Sequence, residues 1–293
     1  MIADYTKDPT LFERYIDLID EVFPGCRSFA LNGMKYKASW PEASIPFIIE
    51  NGRKIIAHAD IFPINSMLNG KEHRGAAIHG VCVKPAYRGK GYFKQLMQKA
   101  IDYTQNHFDF SFLFTEKPNL YNHYPYGIKQ PEYDFVLNNK IWANTNKPGY
   151  NLKALNLNNS DDLNLVHHLF LNRLPLSNQF SLMGKNARTL FILNANSKVL
   201  HFLEKLNTLI VFKQTNNILS IEEIVSTQPC QLNDIIKEIP GDFNEVRLQF
   251  CPDRFLDEKE YTALAITSTQ YLMISKYFSF DGPHFRYPAL YWC

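Results

Sequence analysis

Val81-Cys82-Val83-Lys84-Pro85-Ala86-Tyr87-Arg88-Gly89-Lys90-Gly91-Tyr92-Phe93 is the stretch on which the reading of this chain turns. A β-branched alternation ends at Val83, and a turn with two glycines and two cations follows. From Gly91 to about Asn106, Phe93, Leu96, Met97, Ala100 and Ile101 recur on one helical face. The pattern predicts strand, loop and helix N-terminus. The first amides of a helix have no intrahelical partners and, with the positive end of the helix dipole, they attract anions. Gly89 and Gly91 let an anion approach the backbone and permit positive φ, while Arg88 and Lys90 add charge. A pyrophosphate is the natural guest. A bare Arg-Gly-x-Gly also occurs in ordinary strand–turn–helix bends, so the surrounding elements have to decide.

Upstream, residues 9–23 carry apolar side chains at helical spacing, closed by Pro24-Gly25. Ile45–Glu50 and Lys54–Ile64 are β-rich and flank Asn51-Gly52, a hairpin signal, and Asn69-Gly70 leads into Ala76–Val83. Downstream, Phe108–Phe114 and Tyr133–Leu137 read as strands around a compact, turn-rich Tyr121–Gly127. Helix, meander, helix, strand, strand make one α/β unit, residues 1–143. The polar Asn144–Tyr150 with its Pro-Gly reads as a linker. Residues 151–293 repeat the order: helix at Asp161–Phe170 with Ser160 as N-cap, helix at Lys198–Leu206, and a strand pair around Asn216-Asn217. A short helix at Leu232–Ile239 and β-like Val246–Phe250 and Leu264–Lys276 follow. This half has no glycine-rich turn between its hairpin and the next helix.

The longer string Val-x-Val-x-Pro-x-Tyr-Arg-Gly-x-Gly, between a meander and an amphipathic helix, resembles the signature of the GNAT superfamily of N-acetyltransferases. The family's six-residue core, Gln/Arg-x-x-Gly-x-Gly/Ala, falls on Arg88, Gly89, Lys90, Gly91, Tyr92 and Phe93. The resemblance implies that the backbone amides of this loop hold the acetyl-CoA pyrophosphate, and that the strand Val81, Cys82, Val83 pairs with the pantetheine arm. Phe93 departs from the family's small sixth residue. A bulky residue there is similar to the acetyltransferases of the enhanced intracellular survival type. Their Tyr-x-x-Phe-Gly-Tyr-Gly segment is matched by Tyr121 to Gly127, with Pro125 in place of a glycine. Those proteins join an active acetyltransferase domain to a degenerate copy and a third domain, for which this chain is too short. The implied fold class is α/β, an α+β mixed sheet: a GNAT-like N-terminal domain, then a second, degenerate and cofactor-less GNAT-like domain that helps form the acceptor pocket.

Acetyl transfer from a thioester to an amine needs a neutral amine, an oxyanion donor and a proton for the leaving thiolate. The family's proton donor is often a Tyr after the fifth strand, and Tyr121 takes that place, with Tyr124 as its substitute. Packing within a Tyr-rich loop is the other reading of Tyr121. Eleven residues before Arg88, where histone acetyltransferases of the superfamily carry a Glu, stands Ala77. Two residues on, on the same strand face, lies His79, similar in place to a histidine of arylalkylamine acetyltransferases. An unperturbed imidazole titrates near pH 6.5 and can take an ammonium proton, directly or through water. Satisfaction by local hydrogen bonds is the alternative for His79. A third candidate base, implied by the resemblance to the intracellular-survival enzymes, is the terminal carboxylate of Cys293. The apolar tail from Phe285 also reads as completing the second core.

Other chemistry finds little support in the sequence. Net charge is +2 with no basic run, so no nucleic acid partner is expected. No apolar run approaches the ~20 residues of a membrane span, and the first residues lack a signal-peptide pattern. Five scattered cysteines form no Cys-x-x-Cys pair, which points to reduced thiols in a cytoplasmic protein without a metal. Cys82 reads as packing rather than nucleophile, and the adjacent His167-His168 as a solvent-facing pair. The expected activity is acetyl-CoA-dependent N-acetyl transfer to a primary amine by direct attack on the thioester. A non-catalytic CoA-binding module, using the second domain to contact a protein, is the competing reading. The acceptor and the oligomeric state are not legible.

Overall fold

The computed structural model describes residues 8, 10–138, 152–195 and 197–292. Its first half runs α1 (Leu11–Val22), α2 (Cys26–Lys35), α3 (Trp40–Ala43), β1 (Ile45–Asn51), β2 (Lys54–Leu68), β3 (Lys71–Val83), α4 (Tyr92–His107), β4 (Phe110–Thr115), β5 (Ile128–Lys129) and β6 (Tyr133–Leu137). The second half runs β7 (Leu152–Leu155), α5 (Ser160–Leu171), β8 (Phe180–Met183), α6 (Gly184–Ala195), β9 (Leu200–Leu203), β10 (Thr208–Thr215), β11 (Ile218–Ser226), α7 (Leu232–Lys237), β12 (Glu245–Leu248), β13 (Tyr261–Ala265) and β14 (Tyr271–Ile274).

The strands form two seven-stranded mixed sheets of matching design. One has the order β1-β2-β3-β4-β14-β5, with β8 added to β2; the other has the order β13-β6-β12-β11-β10-β9-β7. Each contains an antiparallel meander followed by one parallel pair, β3 with β4 in the first and β11 with β12 in the second. Each also takes its penultimate strand from the other half of the chain. β14 inserts between β4 and β5, and β6 inserts between β12 and β13. Sequence adjacency places Tyr133–Leu137 beside the first strands and Leu264–Lys276, as one strand, beside the last. Tyr133–Leu137 lies in the second sheet instead, and Leu264–Lys276 splits, with Leu264 and Ala265 in β13 of the second sheet and Tyr271–Ile274 as β14 in the first. Alternation specifies a strand and its faces, but it does not say which sheet edge receives it.

Helix packing follows the apolar spacing. α1 buries Leu11, Tyr15, Leu18 and Ile19 against one face of the first meander, each side chain worth about 1.5–3 kcal/mol of transfer from water. α4 buries Leu96, Met97, Ala100 and Ile101 against the other face. The largest cluster joins the sheets: Phe110 and Phe112 of β4 meet Phe180 of β8, Phe191 of α6, and the tail residues Phe285, Tyr287 and Tyr291. Buried ion pairs fix that tail. Arg286 bonds Glu132 at 3.0 Å and lies 3.1 Å from Asp134, while Arg173 bonds Glu223 at 3.1 Å and the Tyr291 hydroxyl at 2.9 Å.

Three expectations change. Lys198–Leu206 is not an α-helix: β9 occupies Leu200–Leu203, and a single 3-10 turn at Glu204–Leu206 leads through Asn207 (φ 46°) into β10, so cross-strand pairing overrides a helical spacing. The helix lies just upstream, at α6. The N-cap of α5 is Asn159, whose side chain accepts from the amides of Asp161 and Asp162, rather than Ser160. Residues 24–44, to which the spacing assigns no element, carry α2 and α3. The linker at 144–150 lies outside the described residues.

Candidate active site

β3 and β4 pair only at Gly75–Ala77 and Phe110–Phe112. Beyond Ala77 they part, and the physical cause is a bulge. Opposite β2, Asp60 faces His79 but His58 faces Cys82, so β3 carries one extra residue between those pairs. Gly80 occupies the bulge at φ 58°, a left-handed conformation that a Cβ would strain. The His58 ring holds it in place, with Nδ1 donating to the Gly80 carbonyl at 2.9 Å. The bulge also resets the alternation, so Cys82 shares the buried face of His79 and packs near α1. Val81 and Val83 pack on the α4 side. The strand segment expected to meet an extended ligand therefore offers backbone and valines, with the Cys82 thiol turned away.

The fork opens into a cavity of about 1060 Å³ lined by His79 to Val83, by Arg88, Gly89, Gly91, Tyr92 and Phe93, and by Tyr121. Lys90 does not line it; its ammonium sits 5.2 Å from the centre of the Tyr87 ring. Gly91 is the left-handed N-cap of α4 at φ 82°, and no side chain caps that helix. Its first-turn amides are thus free for an anion, and a Cβ built on Gly89 or Gly91 meets nothing within 4 Å. The Arg88 side chain is anchored by its Nε on the Val83 carbonyl at 3.1 Å. Open amides, a cationic side chain and an unpaired strand edge fit a pyrophosphate followed by an extended arm.

Tyr121 is 7% exposed, and burial, with Tyr124 beside it, pushes its phenol up to about 12. It therefore stays protonated at neutral pH and keeps a proton to give. Phe93 meets its ring edge-on at 5.7 Å, so the bulky sixth loop residue forms the wall that positions this phenol. Tyr124 packs on Phe93 at 6.4 Å and does not line the cavity. Tyr126 is spent in the core, bonded to the Ser111 hydroxyl at 2.5 Å.

His79 stands at the end of a buried polar chain that joins residues of α3 and β2. Its ring lies 5.0 Å from Trp40 and 5.6 Å from Phe62, and its Nε2 is buried without a partner. Trp40 donates its indole N–H to Asp60 at 2.8 Å, and His58 approaches the same carboxylate oxygen at 3.4 Å. Burial works against charge on both His58 and Asp60. The Asp60 carboxylate nevertheless holds His58 protonated up to about 10, and His58 in turn holds Asp60 below its ordinary range. Burial dominates at His79 and lowers it to about 4, with Asp60 working weakly the other way. A legible signal was present: two ionisable residues, His58 and Asp60, alternate on one face of an otherwise apolar strand.

The remaining candidates separate from the site. Ala77 lies in the core between the sheets. His167 is half-buried, with Nε2 3.2 Å from the Tyr36 carbonyl, rather than facing solvent. The tail docks as its composition suggested: Trp292 lines the cavity, and its carbonyl accepts from Asn194 at 2.9 Å. Cys293 and its carboxylate lie outside the described residues. Among the described residues no group of three His, Cys, Asp or Glu side chains is placed to hold a metal, and no helix is long and apolar enough to cross a membrane.

Residues 6–129 match the family model for the acetyltransferase (GNAT) domain. The segment that supplies α1 to α4 and β1 to β5 thus matches a GNAT acetyltransferase domain, and the second sheet repeats the plan of the first. Solved structures share the wider arrangement. A protein of Enterococcus faecalis described as a probable N-acyltransferase is 12% identical with a TM-score of 0.56, over 89% of this chain and 69% of that one. A GCN5-related N-acetyltransferase from Anabaena variabilis is 17% identical with a TM-score of 0.52, over 91% and 70%. An Eis protein of Mycobacterium abscessus is 11% identical with a TM-score of 0.50, over 78% and 63%. No curated protein matches the chain.

Proposed function

We propose that the protein is an acetyl-CoA-dependent N-acetyltransferase in which a primary amine attacks the thioester directly. The observation that carries this reading is the convergence, in one cavity, of the uncapped α4 N-terminus, the free edge of β3, Tyr121 and His79. The loop amides and Arg88 bind the pyrophosphate, and Val81 to Val83 align the pantetheine arm. Tyr121 supplies the proton to the departing thiolate, a role suited to a phenol held protonated, and regains one through water from the proton that the nitrogen loses as the amide forms.

His79 has a narrower task than proton abstraction at its ordinary pKa. With its ring at about 4, it is a poor thermodynamic acceptor for a proton from an ammonium group. Its unpartnered Nε2 instead accepts a hydrogen bond from an amine that arrives neutral or sheds its proton to water, and so aims the nitrogen at the thioester carbonyl. The second domain is cofactor-less in this reading, since no glycine-rich loop lies between β11 and α7, and it serves to wall the acceptor side.

Calorimetric titration of acetyl-CoA into the wild type and into Gly91→Asp tests the site, followed by thiol release with an amine panel. Micromolar binding lost in the variant, with thiol released by at least one amine, is the expected result. Tight binding with no release across a broad panel would favour the non-catalytic CoA-binding module, and no binding to folded wild type would overturn both.

A further inference from the structure

His58 and Asp60 of β2 are fully buried and lie beneath the cavity without lining it. Their surroundings fix where the hydrogens sit. His58 Nδ1 lies 2.9 Å from the Gly80 carbonyl, and its Nε2 lies 3.4 Å from an Asp60 carboxylate oxygen. Both neighbours are acceptors, so each ring nitrogen needs its own hydrogen, and only the imidazolium carries two. Asp60 balances that charge, and the same oxygen accepts from the Trp40 indole at 2.8 Å. Its other oxygen is buried without a hydrogen bond. Tyr15 of α1 stacks on the imidazole at 4.7 Å and covers it.

One carboxylate oxygen therefore has two ties. Through His58 it reaches Gly80, the extra residue of the β3 bulge. Without that bulge Val81 would stand opposite His58, and Val81 and Val83 would exchange faces with Cys82 along the cavity edge. Through Trp40 it reaches the ring that lies 5.0 Å from His79. An amide in place of the carboxylate cannot keep both ties. If its oxygen takes the shared position, a neutral His58 has one hydrogen for two acceptors. If its NH2 takes that position, it meets the Trp40 N–H donor to donor.

Resting on the acetyltransferase reading above, we propose that Asp60 is a positioning residue for acetyl transfer. It keeps a hydrogen on both ring nitrogens of His58, so that His58 clamps the Gly80 bulge and holds the β3 edge in register for the acyl donor. The same carboxylate fixes Trp40, which sets the His79 ring toward the acceptor. Neither His58 nor Asp60 touches a reactant. The loop that receives the pyrophosphate begins at Arg88, outside both ties, so cofactor affinity does not depend on them.

The test measures thiol release and the Kd for acetyl-CoA in three variants, with an amine that the wild type turns over. Asp60→Asn should lower kcat by about 100-fold while the Kd stays within about threefold, the pattern of reactants bound but misplaced. His58→Asn/Asp60→Asn puts an amide N–H where His58 Nδ1 stands and leaves an oxygen for Trp40. It should recover about tenfold or more of that loss. His58→Leu/Asp60→Asn fills the space better but has no donor for Gly80, and should recover nothing; a purely structural role for the pair predicts the reverse order. A further reading needs no substitution. Nitrogen NMR of the wild type with isotope-labelled histidine at pH 8, where a free imidazole is neutral, should show both His58 ring nitrogens protonated. Undiminished kcat in folded Asp60→Asn, a leucine variant as active as its asparagine counterpart, or a His58 ring with one hydrogen would each overturn the proposal and leave acetyl transfer standing. A wild type that binds acetyl-CoA yet releases no thiol with any amine would overturn the transfer reading, and with it this role for Asp60.

Discussion

Substituting Asp60→Asn isolates the buried charge beneath the site. The amide matches the carboxylate in shape and its oxygen can still accept from Trp40, so the loss is the charge facing His58. Both side chains are fully buried. Breaking such a pair costs about 3–5 kcal/mol, because one charge is left uncompensated. The cost has a definite pH dependence. His58 is held protonated up to about 10 in the fold and titrates near 6.5 when unfolded. A raised pKa gives stability that is complete below the unfolded value and is lost as pH rises toward the folded one. The penalty of Asp60→Asn should therefore be full at pH 6.5 and shrink by at most about 1.4 kcal/mol per pH unit toward pH 10. Urea unfolding followed by far-UV circular dichroism at pH 6.5, 8 and 9.5 measures it without relying on Trp40, which touches the mutated side chain. A penalty below 1 kcal/mol on the same scale, or one that does not change with pH, would show that the pair is not ionised.

Other perturbations give separate readouts. Tyr121→Phe should lower kcat by about 10²–10⁴-fold and leave the Kd for acetyl-CoA unchanged, in stopped-flow and calorimetric measurements respectively. The pH profile of kcat/KM should show no break near 6.5, because His79 is neutral from about pH 4 upward. The same depressed pKa makes His79 withdraw stability as pH falls below 6.5, a slope that His79→Gln should remove in acid unfolding curves. Gly33→Ala should cost about 1–3 kcal/mol in urea, since its Cβ would lie 2.1 Å from a Leu193 methyl and 2.9 Å from the Ala38 carbonyl. Because Leu193 lines the cavity, the same variant should shift the KM for the amine more than that for acetyl-CoA. Arg173→Leu leaves Glu223 buried and unpaired and should cost about 3–5 kcal/mol, measured in the same way.

The local parts of the fold were written in the sequence because local physics decides them. Asn69-Gly70 turns with both residues at positive φ, and the loop from Arg88 to Phe93 meets a helix whose apolar face was visible in its spacing. α2 was invisible for an equally physical reason: it buries only Ala30 and Gly33, too few positions to set a period. Part of the cavity lining was legible as candidates, the loop from Arg88 to Phe93 from its glycines and Tyr121 and His79 from their distance to that loop. Of the polar chain from His58 through Asp60 to Trp40, only the alternation of His58 and Asp60 is visible in the sequence. The rest depends on a bulge at Gly80 and on a tryptophan in α3, which no spacing along the chain brings together. Trp292 joined the cavity by tertiary docking across more than 170 residues from Tyr121, a contact that no local pattern encodes.

The reciprocal insertion of β6 and β14 sets an order of events during synthesis. When the ribosome has released the acetyltransferase motif and its neighbours, the far edge of β4 still lacks a partner, and it keeps lacking one until Tyr271–Ile274 emerge. For all that time the nascent chain presents an open strand beside an unfinished cavity, a template for pairing with other chains. A truncation before Tyr271 therefore leaves the cavity unfinished although the residues from Val81 to Tyr121 have all been translated, and leaves a fragment prone to aggregate.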